Sequence, residues 1–306
     1  MKEKIMNSGF GIGSLIFVAA VILALPLRIY QYVGKVLEPV TGFFAENHWS
    51  IYALCAVLVL AIVSIWVLAA LKRKELDYSY ETVKRPAFGA LSGLVAAGLI
   101  IDLFSCMNTI SSAPLNSAGS TPSPEVTSAY VIMAQMAVSL LCAVYFVVLC
   151  ITSLIGKTSG ANFRLLSLTP VLWSMLRMVS RFMRTISYVR VSELLFEMIM
   201  LVFMIMFFMA FAQCNSKVNE GDCKWKLAAY GLPAALMALV TSVPRLILGL
   251  VGSADIIYSQ SVLEFSDLAI ALFIIATVFT RVTVKTESVA ESDNTAAEET
   301  PSETEE

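Results

Sequence analysis

Histidine is all but missing from this chain: His48 is the only one among 306 residues. A single imidazole cannot build a histidine-based zinc site, and a His-dependent triad has no base to draw on beyond it. Charge is nearly as scarce, with Asp, Glu, Lys and Arg together making up 14% of the sequence. The lysines fall in loops and at helix ends, which removes a membrane-embedded Ser and Lys pair as a catalytic option. Phosphate loops, dinucleotide fingerprints and basic nucleic-acid patches are absent. The six cysteines show no framework spacing: Cys55, Cys142 and Cys150 lie inside apolar runs, Cys106 near the end of one, and Cys214 and Cys223 in or beside a Lys-bearing loop. They read as small apolar packers rather than disulfide partners or metal ligands. The expectation is a protein that is not an enzyme, with no cofactor, no metal and no nucleic-acid partner.

What the chain has instead is apolar length. It is 58% hydrophobic with a mean hydropathy of +0.79, more apolar surface than a water-soluble fold of this size buries, so its partner is the lipid bilayer. Windows of about 19 residues mark apolar segments at 10–31, 50–71, 87–107, 127–155, 166–188, 191–213, 226–250 and 262–282. The expected fold is all-α: a polytopic integral membrane protein of about eight transmembrane helices arranged as four hairpins. The first run, Phe10 to Leu27, is as long as a span and is followed by no small-x-small cleavage site, so it reads as a retained helix rather than a signal peptide.

The charges are also segregated along the chain. All 21 Lys and Arg lie at or before Lys285, whereas residues 286–306 hold eight of the 23 acidic residues, so residues 1–285 carry a net +6. The domain reading follows: a helical bundle over 1–285 and a disordered acidic tail over 286–306, too polar to offset the entropy of ordering. Lys72, Arg73 and Lys74 close the second apolar segment, and Lys84 and Arg85 precede the third, while Thr109 to Glu125 has no Lys or Arg. The positive-inside rule marks the loop after the second segment as cytoplasmic; with the N-terminus cytoplasmic and eight spans, both termini are expected inside. Short loops and the absence of any Asn-x-Ser/Thr sequon point to a bacterial plasma membrane. Charge counting leaves one alternative open. With eight spans, 14 Lys and Arg fall inside and seven outside; with 157–190 as a cytoplasmic surface helix, the division is again 14 to seven. The repeat of helix pairs favours eight, because Pro86, Pro170 and Pro233 each stand in the first turn of a pair and one charge, Arg28, Asp102, Arg181 or Arg245, stands near the far end of each pair's first helix.

Within the third segment, Gly89, Gly93 and Ala97 recur every four residues and form a close-packing face, with Asp102 on the opposite side. That combination predicts a helix at the centre of the bundle. Eight of the 14 methionines fall between Pro170 and Ala210 and read as adaptable packing rather than a copper site.

Thr169 to Glu197 concentrates the chemistry. Arg177, Arg181 and Arg184 are four and three residues apart, so on a helix they fall within about 60° of one another, on a stripe with Pro170, Trp173 and Tyr188. If the helix ends near Ser187, a rise of about 1.5 Å per residue sets Arg184 roughly 4 Å, Arg181 roughly 9 Å and Arg177 roughly 15 Å below the interface. Arg184 snorkels to water, but Arg177 has to face protein or water. The next helix returns antiparallel with Glu193 and Glu197 at the depths of Arg184 and Arg181, so two interhelical pairs are expected and Arg177 is left over. Across the outer half of the membrane, Arg28, Arg177, Arg181, Arg184 and Arg245 oppose Asp102, Glu193, Glu197, Glu264 and Asp267, five against five.

Two functional expectations emerge. In the first, the protein is a permease or permease subunit for a small, possibly anionic, solute, with Arg177 and Asp102 as substrate-binding residues; a guanidinium takes a carboxylate or phosphate by a two-pronged hydrogen bond. In the second, Arg181, Arg184, Glu193, Glu197, Arg245, Glu264 and Asp267 form a structural ion-pair network, and the protein is a non-catalytic scaffold, sensor or accessory subunit among other membrane subunits.

Overall fold

The computed structural model describes residues 9–34, 36, 48–73, 76–78, 86–112, 124–155, 166–183, 191–216, 220–250 and 265–284. The helices are α1 (Gly9–Val33), α2 (Trp49–Leu71), α3 (Pro86–Ser112), α4 (Pro124–Ile155), α5 (Thr169–Met183), α6 (Val191–Asn215), α7 (Glu220–Leu250) and α8 (Phe265–Arg281). A 3-10 turn, Leu166–Leu168, leads into α5, and two short strands, β1 (Leu76–Tyr78) and β2 (Val282–Val284), follow α2 and α8. The expected acidic tail, 286–306, lies outside the described residues.

Six of these helices, α1, α2, α3, α4, α6 and α7, are long and apolar enough to cross a bilayer, so the chain has the build of a multi-pass membrane protein. Within the described residues the other two cover less than the apolar segments at 166–188 and 262–282, because 184–190 and 251–264 lie outside the described residues. At about 1.5 Å per residue, the 15 residues of α5 and the 17 of α8 extend about 22 and 25 Å, against a hydrocarbon core of about 30 Å.

The centre of the bundle is α7, not α3 as the Gly89, Gly93 and Ala97 spacing suggested. It packs against α1, α2, α6 and α8, and 67% of an 18-residue apolar window within Trp225–Leu250 is buried, against 39% of the matching window within Pro86–Phe104 in α3. Small side chains permit this: Ala228, Ala229, Ala234, Ala235 and Ala238 are fully buried, and a Cβ on Gly231 would stand 3.0 Å from both Phe207 Cδ2 and Val278 Cγ2. Pro233 also falls elsewhere than expected. It sits inside α7 rather than in its first turn, because polar residues from Glu220 onward continue the helix beyond the apolar window. The small residues of α3 serve a local purpose. Gly89 and Gly93 admit Leu154 and Cys150 of α4, and Gly98 lets the backbone of Ser266 in α8 approach to 3.0 Å of where its Cβ would be.

Where α3, α4, α6 and α8 meet, Phe273 is ringed by Phe88, Phe146 and Phe211 at centroid distances of 5.1, 5.2 and 5.7 Å. The last two contacts are edge-to-face, as the quadrupoles of aromatic rings favour. At the other end of the length scale, β1 pairs antiparallel with β2 in the register Leu76↔Val284, Asp77↔Thr283 and Tyr78↔Val282. An all-α expectation did not include this ribbon, since three-residue strands more than 200 positions apart leave no periodic trace.

Candidate functional site

The face that α5 turns inward is polar. Trp173, Ser174, Arg177 and Ser180 are buried, while Leu172, Met175, Val179 and Phe182 are exposed. This spacing of three and four residues makes an amphipathic helix, with the polarity reversed from that of a water-soluble bundle: the polar stripe faces in and the apolar stripe faces out. Two hydroxyls on the buried face are satisfied within the helix, Ser174 Oγ donating to the Pro170 carbonyl and Ser180 Oγ to that of Arg177, each at 2.8 Å.

Arg177 is almost completely buried and joins three helices. Its Nη1 donates to Asp267 Oδ1 and its Nη2 to Asp267 Oδ2, the latter at 2.8 Å. Nη2 also lies 3.5 Å from Glu197 Oε1, and the guanidinium stacks over the Trp173 ring at 5.3 Å. Arg181 Nη2 donates to the same Glu197 oxygen at 2.8 Å. Among the described residues, two cations from α5 therefore meet one carboxylate from α6 and one from α8, and these four charges balance. Asp267 stands in the first turn of α8, where unpaired amides and the helix dipole favour a carboxylate. No family model matches this chain, and no curated protein or solved structure does either. The site has to be read from its own chemistry.

A second arginine centre adjoins it. Arg28 of α1 is fully buried; its Nη1 donates to Gln31 Oε1 at 2.9 Å and its Nη2 to the Tyr32 hydroxyl at 3.4 Å. Its guanidinium lies 4.9 Å from the ring centroids of both Tyr32 and Phe196. Gln31 in turn donates to the Ser50 carbonyl at 3.0 Å, tying α1 to α2. Phe196 immediately precedes Glu197, so α6 presents consecutive residues to the two arginine centres. Sequence reasoning gathered Arg28 among the outer charges but passed over Gln31, Tyr32 and Phe196. The signal was the spacing of Arg28, Gln31 and Tyr32, which are three and four residues apart on a helix otherwise apolar.

The other candidate residues are placed as follows. Arg177, Arg181, Glu197 and Asp267 come together, and Arg177, expected to be left over, has its main partner in a helix 90 residues away. Asp102 is half-buried on α3, one turn past the point where Gly98 meets Ser266, and Arg245 is half-buried on α7; both have polar or electrostatic interactions. Arg184 and Glu264 lie outside the described residues, as does the side chain of Glu193 in the first turn of α6. His48 caps α2, accepting from the Ser50 amide, and packs beside Tyr30 and Trp49. Among the described residues no group of three or more His, Cys, Asp or Glu is positioned to hold a metal ion.

Chemically, the cluster offers strong acceptors already matched by strong donors. A bidentate guanidinium–carboxylate pair is directional as well as strong, so it sets the rotation and depth of α5 against α8, while the Arg181–Glu197 bond does the same for α5 against α6. Breaking such a pair leaves a charge without water to solvate it.

Proposed function

We propose that this chain is a non-catalytic membrane subunit, a scaffold, sensor or accessory component that works with other membrane proteins and carries no enzyme activity. One observation supports this reading above the others: both terminal nitrogens of Arg177 are engaged by Asp267, so the two-pronged donor that would capture an anion is already filled from within. A neutral cluster joining α5, α6 and α8 is what a register-setting lock requires.

We infer eight crossings in four hairpins, in a bacterial plasma membrane with both termini cytoplasmic. In the β1–β2 ribbon the end of α8 lies beside the end of α2, which requires an even number of crossings between them. The six helices from α3 to α8 satisfy that parity, whereas a surface-lying α5 with α8 still crossing would leave five; the four longest of them, α3, α4, α6 and α7, satisfy it as well. The inward polar face of α5 supports the same reading. A reporter active only outside the cytoplasm and fused near Asn219 is expected to be silent; an active fusion there overturns the eight-crossing arrangement.

A permease for a small anionic solute is the second reading. Glu197 Oε1 is shared, at 2.8 Å from Arg181 and 3.5 Å from Arg177, so the arginines have an alternative carboxylate to exchange while a solute is carried. Thermal unfolding of the purified protein with a panel of small carboxylates and phosphates separates the two. The subunit reading predicts no stabilisation by any of them. A shift of several degrees that disappears in Arg177→Lys, with the variant still folded, would establish the permease instead.

A further inference from the structure

We propose that Tyr30, His48 and Trp49 form a headgroup site for a zwitterionic, ammonium-bearing phospholipid, at the end of the bundle where α1 leads into α2. The three rings lie beside one another in a nearly equilateral triangle. Their centroids are 6.0 Å apart for Tyr30 and His48, 6.2 Å for Tyr30 and Trp49, and 5.9 Å for His48 and Trp49. The planes are inclined to one another by 31–40°, so no ring is stacked on another or turned edge-on to it. Tyr30 is 47% exposed and Trp49 60%, with His48 half-buried beside them. Tyr30 stands three residues before the end of the apolar stretch Gly11–Val33, and Trp49 is the first residue of the next, Trp49–Leu71. Both therefore sit within about one helical turn of a span's end, the level of phospholipid headgroups.

The His48 ring is held in one tautomer. Its Nδ1 accepts from the Ser50 amide at 3.3 Å and lies 2.8 Å from the Ser50 hydroxyl. An amide only donates, so the proton of the neutral imidazole sits on Nε2, a donor that the helix cap does not use. The patch is also braced from behind: Gln31, next to Tyr30, donates to the carbonyl of Ser50, next to Trp49, at 3.0 Å. The cation of α1 is turned away from the rings. Arg28 precedes Tyr30 by two positions, about 200° round the helix, and its guanidinium is buried against Gln31, Tyr32 and Phe196. No other Lys or Arg lies in Gly9–Val33 or Trp49–Leu71. Aromatic faces with a neutral donor suit a headgroup that has a positive end and no net charge. The ammonium lies over the faces of Tyr30 and Trp49, drawn by the negative face of each ring, and the phosphate ester accepts from His48 Nε2. An anionic headgroup gains nothing from those faces. A bound lipid would fix the depth of the α1–α2 hairpin, which meets the rest of the bundle chiefly at α7.

Native mass spectrometry of the lipid retained by the full chain tests this, after extraction in mild detergent from vesicles of phosphatidylcholine, phosphatidylethanolamine and phosphatidylglycerol in equal parts. The two zwitterionic lipids are expected to be retained in preference to phosphatidylglycerol. Two exposed cation–π contacts are worth about five-fold or more in affinity, so Tyr30→Leu with Trp49→Leu is expected to lower retention of the zwitterionic lipids by at least about that factor. Tyr30→Phe with Trp49→Phe keeps both faces and is expected to stay within about two-fold of the unaltered chain. Trp66→Leu removes an exposed ring near the opposite end of α2 and is expected to leave retention unchanged. Thermal unfolding of each variant shows that it is folded; should the leucine pair not fold, the preference among the three lipids and the phenylalanine pair still decide. A preference for phosphatidylglycerol would overturn the proposal, as would a phenylalanine pair that loses the zwitterionic lipids. Equal losses in Trp66→Leu and the leucine pair would show an unspecific aromatic surface and overturn it too.

Discussion

Replacing Arg177 by alanine is expected to destabilise the protein by about 3–5 kcal/mol, the cost of leaving buried carboxylates without their cation. Asp267 would lose both of its guanidinium bonds and Glu197 its 3.5 Å neighbour. Neither carboxylate has bulk water to turn to, as both residues are buried. Asp267→Ala should cost a comparable amount for the converse reason. The paired change Arg177→Met with Asp267→Leu removes both charges together, and it is expected to restore most of the loss, because an apolar pair at this buried site leaves no charge to compensate. Equilibrium unfolding in detergent, taken round the whole double-mutant cycle, measures the coupling. A cycle with no coupling would mean that the Arg177–Asp267 pair does not hold the helices in register.

The second large effect is expected at Phe273. In water-soluble cores, Phe→Ala costs about 3–5 kcal/mol from transfer and cavity together. Inside a bilayer the transfer part shrinks, since lipid tails are as apolar as the core, but the lost packing remains. Phe273→Ala is therefore expected to cost about 2–4 kcal/mol, because its ring is enclosed by Phe88, Phe146 and Phe211. Phe279 lies on the same helix but is 46% exposed. Its replacement by alanine should change stability by under about 0.5 kcal/mol, and thermal unfolding of the two variants side by side tests the contrast. Equal losses would show that residue size, rather than enclosure, sets the cost.

These two sites were legible in the sequence to different degrees. The arginine stripe announced itself, because Arg177 and Arg181 stand out against an apolar background and one helical turn sets them on the same face. Their neighbour across the hairpin, Glu197, was within reach of the same arithmetic. Asp267 was visible as one of the outer-half charges, yet nothing in the sequence joined it to Arg177 in preference to any other arginine, since the pairing spans 90 residues and depends on how α8 packs. The aromatic enclosure of Phe273 was invisible for a related reason. Phe is common in apolar helices, and periodicity does not say which ring meets which. The prominence given to α3 came from a pattern of small residues that is real but local. It describes the α3–α4 and α3–α8 contacts, while the equally small residues of α7 do the central packing behind a less regular spacing.

By itself the sequence determined that this chain belongs in a membrane, where its helices run and which of their positions carry charge. Hydropathy and helical periodicity are properties of neighbouring residues, and a bilayer enforces helices by denying the backbone any other hydrogen-bond partner. The tertiary structure alone decided that α7 is the hub, that β1 meets β2, and that Arg177 is matched by Asp267 rather than left over. Each of these depends on contacts between segments far apart in the chain, where many pairings are equally neutral in charge and equally apolar, and only close packing of specific shapes selects among them.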